Sequence, residues 1–182
     1  PLGGVLPTKE AYQTHRAARR AELGLRPDEL LLIHAGKLEP QKKTDSLLRS
    51  FAAVPELKAR LAVIGSIPEE TKAALTALMD ADPRVTYLGW KSGADLQEYL
   101  CAADLYCQPG KVSAIMQNAV CCRCPVMLYP HPDYVEGYDY GNILYEKDEA
   151  DMSRVFRRLA AGEIDLAALS RGSERCAAEL LD

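Results

Sequence analysis

The sequence predicts an α/β fold, a doubly wound, Rossmann-like sheet of about six parallel strands with helices on both faces. Short, continuously apolar runs alternate with segments of helical periodicity, as where "LLLIHA" at 30–35 is followed by "TDSLLRSFAAV" at 44–54. Uninterrupted apolar runs are typical of parallel strands that helices cover on both faces. The 182 residues, 48% of them hydrophobic, suffice for one domain with a large core.

Each element follows from its pattern. The apolar runs predict strands at 30–35, 60–65, 84–90, 104–110, 124–129 and 141–145. Apolar residues at helical spacing predict helices at 8–23, 44–54, 68–82, 94–103, 113–120 and 151–160. Gly24 ends the first helix, Thr44 or Asp45 is expected to cap the second, and Ser113 the fifth.

Charge and composition exclude several classes of function. The net charge of -4 argues against a general nucleic-acid or membrane-surface role, since such proteins usually carry a basic excess. No apolar run approaches the roughly 18 residues of a spanning helix. We interpret "PLG" at 1–3 as the remnant of a purification tag, which leaves 4–182 as the domain.

The cysteines are predicted to be buried in the reducing environment of a cytoplasm. Five of the six lie between 101 and 124, inside predicted core elements, and the sixth is Cys176. "CCRC" at 121–124 contains a Cys-x-x-Cys spacing, so a zinc or redox site is the alternative. A zinc site needs about four ligands, and no second pair has a suitable spacing. We therefore expect no metal and a cytoplasmic location.

Ligands of doubly wound sheets bind at the carboxyl ends of the strands, near the point where the strand order reverses. This rule selects the turns at 36–43, 65–68, 89–92 and 109–113. The first of them contains three lysines, in "GKLEPQKKT".

The lysine turn has two interpretations. It is not a P-loop, because Lys37 and Lys42 stand where that motif requires glycines. The two ammonium groups could still converge on a diphosphate as point charges, or the turn could simply be solvated. The turn at 109–113 favours the diphosphate, because a helix that starts at Ser113 would present free N–H groups to an anion.

At this point the chain resembles the retaining GT-B glycosyltransferases of family 4. "AGKLEPQKKTDSLLRSFA" is similar to the family segment G-R-L-x-x-x-K-G-x-D-x-L-x-x-A-F. The similarity continues through "LAVIGS", "RVTYLGW", "YLCAADLYCQPG" and "CPVMLY", and "GVLP" resembles the family's entry into its second domain. What matches, over nearly the whole chain, is the C-terminal domain that binds the nucleotide sugar, one half of a GT-B fold.

The resemblance implies roles for particular residues. Lys37 and Lys42 fall on the catalytic residues that bind the diphosphate, beside Gly36, which permits close approach of the backbone. The distal phosphate and donor sugar would meet Gly110, Lys111, Val112 and Ser113, and the base would meet Gly89 and Trp90.

The resemblance also implies a partner and a mechanism. It predicts sugar transfer with retention of configuration, no cofactor and no obligatory metal. The acceptor domain would lie upstream and is absent from this sequence, so this piece is expected to bind nucleotide sugar without transferring it. Any peripheral membrane association would come through that absent half.

The chain departs from the family at two glutamates, one of which touches the donor sugar and the other the ribose. Their places hold Gly110 and Asn118. Asn118, with Gln117 beside it, could still bind a ribose hydroxyl, although an amide is a weaker acceptor than a carboxylate. Either a variant branch of the family or a domain that has lost activity would show this pattern.

Other polar residues leave their roles open. His131 either lines the sugar pocket or is an ordinary loop residue, and Glu136 is either a site acid or a surface acid. His34, inside the first strand, is predicted to be a hydrogen-bonded core residue.

Three alternatives keep the fold and change the function. They are a degenerate domain used for protein interaction, a nucleotide-sugar epimerase, and a flavodoxin-like module in which the lysines are incidental.

Overall fold

A six-stranded parallel sheet forms the centre of the protein. The computed structural model describes residues 4–180, so the predicted tag remnant at 1–3 lies outside the described residues. The strands are β1 (Leu30–Lys37), β2 (Ala59–Ser66), β3 (Val85–Gly89), β4 (Leu105–Gln108), β5 (Val126–Leu128) and β6 (Ile143–Tyr145). Their order is β3-β2-β1-β4-β5-β6, and every neighbouring pair is parallel. The prediction of a doubly wound sheet is confirmed.

Helices cover both faces of the sheet. They are α1 (Lys9–Glu22), α2 (Thr44–Ala52), α3 (Glu69–Asp80), α4 (Gly93–Ala102), α5 (Ile115–Cys121), α6 (Pro132–Val135), α7 (Glu149–Ala160) and α8 (Leu166–Leu180). Alternate residues of β1 point into separate cores: Leu31 and Ile33 pack with α4 and α5, whereas Leu32 packs with α2 and α7. This alternation explains why the strands are apolar throughout.

Helix α8 was not predicted, because its middle has a weak helical pattern. Gly172 lies within it, and a Cβ there would come within 2.6 Å of the Tyr140 carbonyl oxygen. The neighbouring Ser173 hydroxyl donates to the Cys124 carbonyl at 2.7 Å. Tertiary contacts of small residues therefore stabilise a helix that propensity alone does not favour.

Two predictions about core residues are confirmed. All six cysteines are buried. His34 is fully buried, with Nδ1 2.8 Å from the Cys107 carbonyl oxygen and Nε2 2.8 Å from the Thr44 hydroxyl. Burial lowers the pKa of His34 to about 4, so the imidazole is neutral at physiological pH. None of the helices that the structure describes combines the length and apolar character that crossing a membrane requires.

Candidate functional site

The candidate site lies at the carboxyl ends of β1 and β4, where the strand order reverses. The turn after β1 and the turn after β4 meet there, because the Lys111 amide donates to the Gln41 carbonyl at 2.9 Å. A Cβ on Gly110 would lie 2.0 Å from the same oxygen and 2.8 Å from Lys42 Cα. Only glycine therefore allows these two turns to pack so closely.

Two glycines lie opposite each other at the carboxyl ends of β1 and β2. Gly36 and Gly65 are register partners, and both have positive φ, of 130° and 140°. A Cβ on Gly65 would lie 1.7 Å from the Gly36 carbonyl oxygen. The Lys42 ammonium lies over Gly36, since a Cβ on that residue would be 3.6 Å from Nζ. The close backbone approach predicted for Gly36 is thus available.

Lys42 is the unusual charged residue of the site, because most of its side chain is buried. Only 8% of the residue is exposed, at the end of a 3-10 turn spanning Pro40–Lys42. Within residues 4–180 its ammonium makes no ion pair and no side-chain hydrogen bond. Burial and the nearby Lys111 ammonium lower the pKa of Lys42, and Glu39 partly opposes them. The side chain of Lys42 is buried while its ammonium keeps contact with solvent, and an anion that bound there would accept a charge-assisted hydrogen bond from it.

Lys37 is placed differently. Its side chain is 69% exposed and its ammonium lies 3.0 Å from Glu39 Oε1. This contact lowers the pKa of Glu39, which also accepts a hydrogen bond from the Gln41 side chain. An anion that binds both lysines would have to displace Glu39 from Lys37.

The second helix begins differently from the prediction, which named Thr44 or Asp45 as its cap. The N-cap position is Lys43, with a left-handed φ of 53°, and no side chain caps the helix. The Thr44 hydroxyl is engaged with His34 instead. A left-handed non-glycine residue is strained, which accounts for the glycine in the resembled pattern at this place.

The fifth helix also begins differently, and Ser113 is not its side-chain cap. The helix begins at Ile115, with Ala114 as N-cap, and has seven residues. The Ser113 hydroxyl instead donates to Gln108 Oε1 at 3.1 Å, and Tyr106 donates to the same oxygen at 2.9 Å. The amide of Lys111 is already bonded to Gln41. Within residues 4–180 the backbone amides of 112–115 make no hydrogen bond, so free amides are present at this turn together with the nearby side-chain ammonium groups.

Two cavities flank Lys42. The first, of about 230 Å³, is the β1–β2 cavity, and the residues that matter here are Gly36, Lys37, Ser66, Trp90, Lys91 and Ile115. The second, of about 420 Å³, is the β4–β5 cavity, whose lining includes Lys43, Gly110, Lys111, Tyr129, His131 and Tyr134. The Lys42 ammonium lies near Gly36, which lines the first cavity, and the Lys42 backbone packs against Gly110, which lines the second.

The structure brings together some of the predicted residues and separates others. Trp90 lines the β1–β2 cavity with 73% of its surface exposed, while Gly89, at φ 73°, ends β3 behind it. Val112 and His131 line the β4–β5 cavity. Asn118 lines neither, because it lies in a small neighbouring cavity with Gly93.

Gln117 lines neither of the two cavities. Its amide donates to the Tyr138 hydroxyl at 3.3 Å, which ties α5 to the segment after α6. Glu136, exposed at the end of α6, lines neither cavity.

Glu146, an acid that directly follows β6, was not among the predicted site residues. It is 2% exposed, and its Oε1 has no hydrogen-bond partner among the described residues. Burial, together with Asp151 and Asp148, raises its pKa to about 7, and Lys43 opposes this. Its position after a strand was the available signal, but a lone acid there is more often solvated.

The comparisons with known proteins decide the family. A family model described as "Glycosyl transferases group 1" matches residues 29–161. The chain belongs to this family. The resemblance given by the lysine turn and the later motifs is confirmed.

Curated members of the group 1 glycosyltransferases show the extent of the likeness. The chain is similar to a D-inositol 3-phosphate glycosyltransferase of Mycobacterium sp. (strain KMS), at 33% identity over 119 residues, 62% of this chain and 27% of that protein. It is 30% identical over 176 residues to the protein of the same name from Saccharomonospora viridis, covering 87% of this chain and 41% of that one. The chain thus spans less than half of the length of these relatives.

Solved structures confirm the fold. The Anabaena protein Alr3699/HepE, in complex with UDP-glucose, matches with a TM-score of 0.80 and 16% identity, over 99% of this chain and 52% of that one. WaaG, a glycosyltransferase of lipopolysaccharide biosynthesis, matches with a TM-score of 0.76 and 19% identity, over 98% and 52%. Each match covers about half of the larger chain, as expected for one half of a GT-B fold.

Proposed function

We propose that this chain is the donor-binding half of a glycosyltransferase that moves a sugar from a nucleoside-diphosphate sugar to an acceptor with retention of configuration. The observation that carries the proposal is the ammonium of Lys42, which ends a buried side chain over Gly36 and makes no ion pair within residues 4–180, at the strand ends of a group 1 glycosyltransferase domain. The acceptor would bind to a second domain of the same polypeptide, and the longer relatives support that arrangement.

The donor would lie across the site with its diphosphate against Lys42 and Lys37. The nucleoside would enter the β1–β2 cavity, where the Trp90 ring is available to the base. The sugar would enter the β4–β5 cavity on the far side of Lys42. This order is supported by the contacts of Lys42 with Gly36, which lines the first cavity, and with Gly110, which lines the second.

The chemistry assigned to this half is electrostatic. When the bond to the sugar breaks, negative charge builds up on the leaving nucleoside diphosphate. Lys42 is held by burial where that charge develops, and Lys37 adds a second cation once Glu39 releases it. Preorganised charges of this kind are usually a large part of catalysis. The lysines supply the cation, so we propose no obligatory metal.

Trp90 provides a direct test, since it is the single tryptophan of the sequence and lines the β1–β2 cavity. Titration with UDP, GDP and ADP should change its fluorescence for at least one nucleotide. Lys42→Ala should weaken that binding at least about tenfold, because a charge-assisted contact is lost. Lys58→Gln is the matched control, with a side chain 71% exposed at the opposite end of β2.

Folded protein that binds none of the three nucleotides, by fluorescence or calorimetry, would refute the donor site. Equal affinities of Lys42→Ala and the unchanged chain would instead favour a binding module in which the lysines are incidental. We further propose that the isolated chain transfers no sugar, since the acceptor half is needed to complete the cleft.

One observation favours a second candidate, a domain that keeps the fold for protein interaction. A glutamate side chain could not be accommodated at 110, because the Gln41 carbonyl oxygen occupies the place of a side chain there. A degenerate domain would show no nucleotide binding in the same titration, and its Lys42→Ala variant would behave like the unchanged protein apart from stability.

A further inference from the structure

We propose that the β4–β5 cavity binds a carboxylate or phosphate group carried by a sugar, with Lys111 and Lys43 as its cationic contacts. The inference rests on the proposed donor site and names the chemical class of the sugar next to it.

The cavity has the size and the walls of a sugar subsite. Its volume of about 420 Å³ lies in the usual range for small-molecule pockets. Tyr129, 45% exposed, and Tyr134 offer aromatic faces, and the His131 ring lies 6.0 Å from that of Tyr134, edge to face. Aromatic rings pack well against the apolar faces of pyranose rings.

The lining of the cavity differs from that expected of a neutral-sugar site in its positive charge. Lys43 and Lys111 both line the cavity, and within residues 4–180 neither makes an ion pair. Lys111 is close enough to Lys42 to lower the pKa of that buried lysine. Lys43 and Lys111 are both solvent-exposed, and Lys111 also helps to lower the pKa of Glu39, so the lining carries positive charge at its exposed edge.

The nearby acids do not neutralise this region. Asp133 also lines the cavity, but its side chain is 83% exposed and lies 3.6 Å from His131. Glu39 pairs with Lys37. Glu146 is buried near Lys43, and its pKa is raised to about 7, so it carries a full charge only above that pH. Both lysines are exposed to water, and an anionic group on the sugar would replace that water and accept charge-assisted hydrogen bonds from them, which a neutral sugar could not do.

The backbone at Gly110 determines where the positive charge of Lys111 lies. Gly110 packs against Gln41 where the family pattern has a glutamate, and the next residue, Lys111, lines the cavity. The turn thus presents a cation where the resembled pattern presents an anion. Such a reversal changes the charge of the ligand that the site prefers.

The first arm of the test compares donors. The affinities of UDP-glucose and UDP-glucuronate, or of GDP-mannose and GDP-mannuronate if guanine is preferred, are measured by Trp90 fluorescence on the chain, on Lys111→Gln and on Lys58→Gln. We expect the uronate donor to bind at least about tenfold tighter than the neutral one. Lys111→Gln should abolish this ratio, and Lys58→Gln should keep it.

The second arm places the anion on the acceptor. If the two donors bind equally, the chain saturated with UDP is titrated with glucose 6-phosphate and with glucuronate, and the amide signals of Lys43 and Lys111 are followed by NMR. Shifts that disappear in Lys111→Gln support an anionic acceptor group in this cavity. Equal donor affinities together with no Lys111-dependent binding of either sugar would overturn the proposal.

The two proposals fail in distinguishable ways. If no nucleotide binds, the donor function falls, and titration of the unloaded chain with glucose 6-phosphate alone decides the anionic subsite. If nucleotides bind but no arm shows dependence on Lys111, the donor function stands and the anionic subsite falls.

Discussion

Glu146 gives the prediction whose magnitude follows most directly from the structure. Its carboxyl is buried beyond the end of β6, with Oε1 unpaired among the described residues. The charged groups that act on it are Asp148 and Asp151 of the α7 end and Lys43 before α2. Replacing it by glutamine keeps the shape and removes the charge.

The size of the effect follows from the pKa. In the unfolded chain Glu146 titrates near 4.5, and in the folded protein its pKa is raised to about 7. Because the folded state holds the proton more tightly, its stabilising contribution is complete below pH 4.5 and is lost as pH rises through 7. At about 1.4 kcal/mol per pH unit, the loss by pH 8 is about 3 kcal/mol.

The assay compares thermal unfolding of the unchanged chain and Glu146→Gln between pH 5 and pH 9. The variant should be little changed at pH 5 and more stable at pH 8, by about 6–12 °C in Tm for a domain of this size. The two proteins are compared at each pH because His34 gives both of them a further pH dependence. Folding lowers the pKa of His34, so the folded state loses stability as the pH falls from 6.5 to about 4.

A difference in Tm that is the same at pH 5 and pH 8 would refute the reasoning, since it would mean that the carboxyl does not titrate in this range. Lower stability of the variant at pH 8 would also refute it. Glu146→Met serves as a second variant, because it removes both the charge and the polar atoms.

Three further predictions concern the phosphate turns. Lys42→Met should unfold at a higher temperature than the unchanged chain while it loses nucleotide binding, because it removes a partly desolvated charge that the nearby Lys111 ammonium repels. Differential scanning fluorimetry and the Trp90 titration measure both quantities, and an unchanged Tm or an unchanged affinity would contradict this. Gly110→Ala should destabilise the fold by about 2–3 kcal/mol in urea unfolding, since the new Cβ would lie 2.0 Å from the Gln41 carbonyl oxygen, and an unaffected midpoint would contradict the packing described. Glu39→Gln should tighten nucleotide binding roughly threefold at low salt by releasing Lys37, and weaker binding would show that Glu39 assists the ligand.

The fold could be predicted because its strands are buried on both faces. Runs such as 30–35 and 60–65 admit little besides a covered parallel strand. The positions of the strand ends then predicted that the lysine turn and the turn at 109–113 lie side by side. Their contact through Gln41 and Lys111 agrees with that expectation.

The hydroxyl groups could not be placed from the sequence. Thr44 and Ser113 both stand where an N-cap is expected, yet His34 takes the first hydroxyl and Gln108 accepts from the second. A local pattern cannot report a partner that tertiary folding brings from another strand. The burial of Glu146 could not be predicted for the same reason, since it depends on where α2 and α7 begin.

The departure at Gly110 is explained by how the two turns beside Lys42 pack against each other. Here glycine is sterically required, because the turn that buries Lys42 fills the space of the missing side chain. A glutamate at 110 would displace Gln41, move the ammonium of Lys42 and place a carboxylate beside it. The same packing holds the amide of Lys111, which lines the larger cavity. Loss of the acid, burial of Lys42 and the position of Lys111 are thus one structural change, and together they favour a ligand with more negative charge than a neutral nucleotide sugar carries.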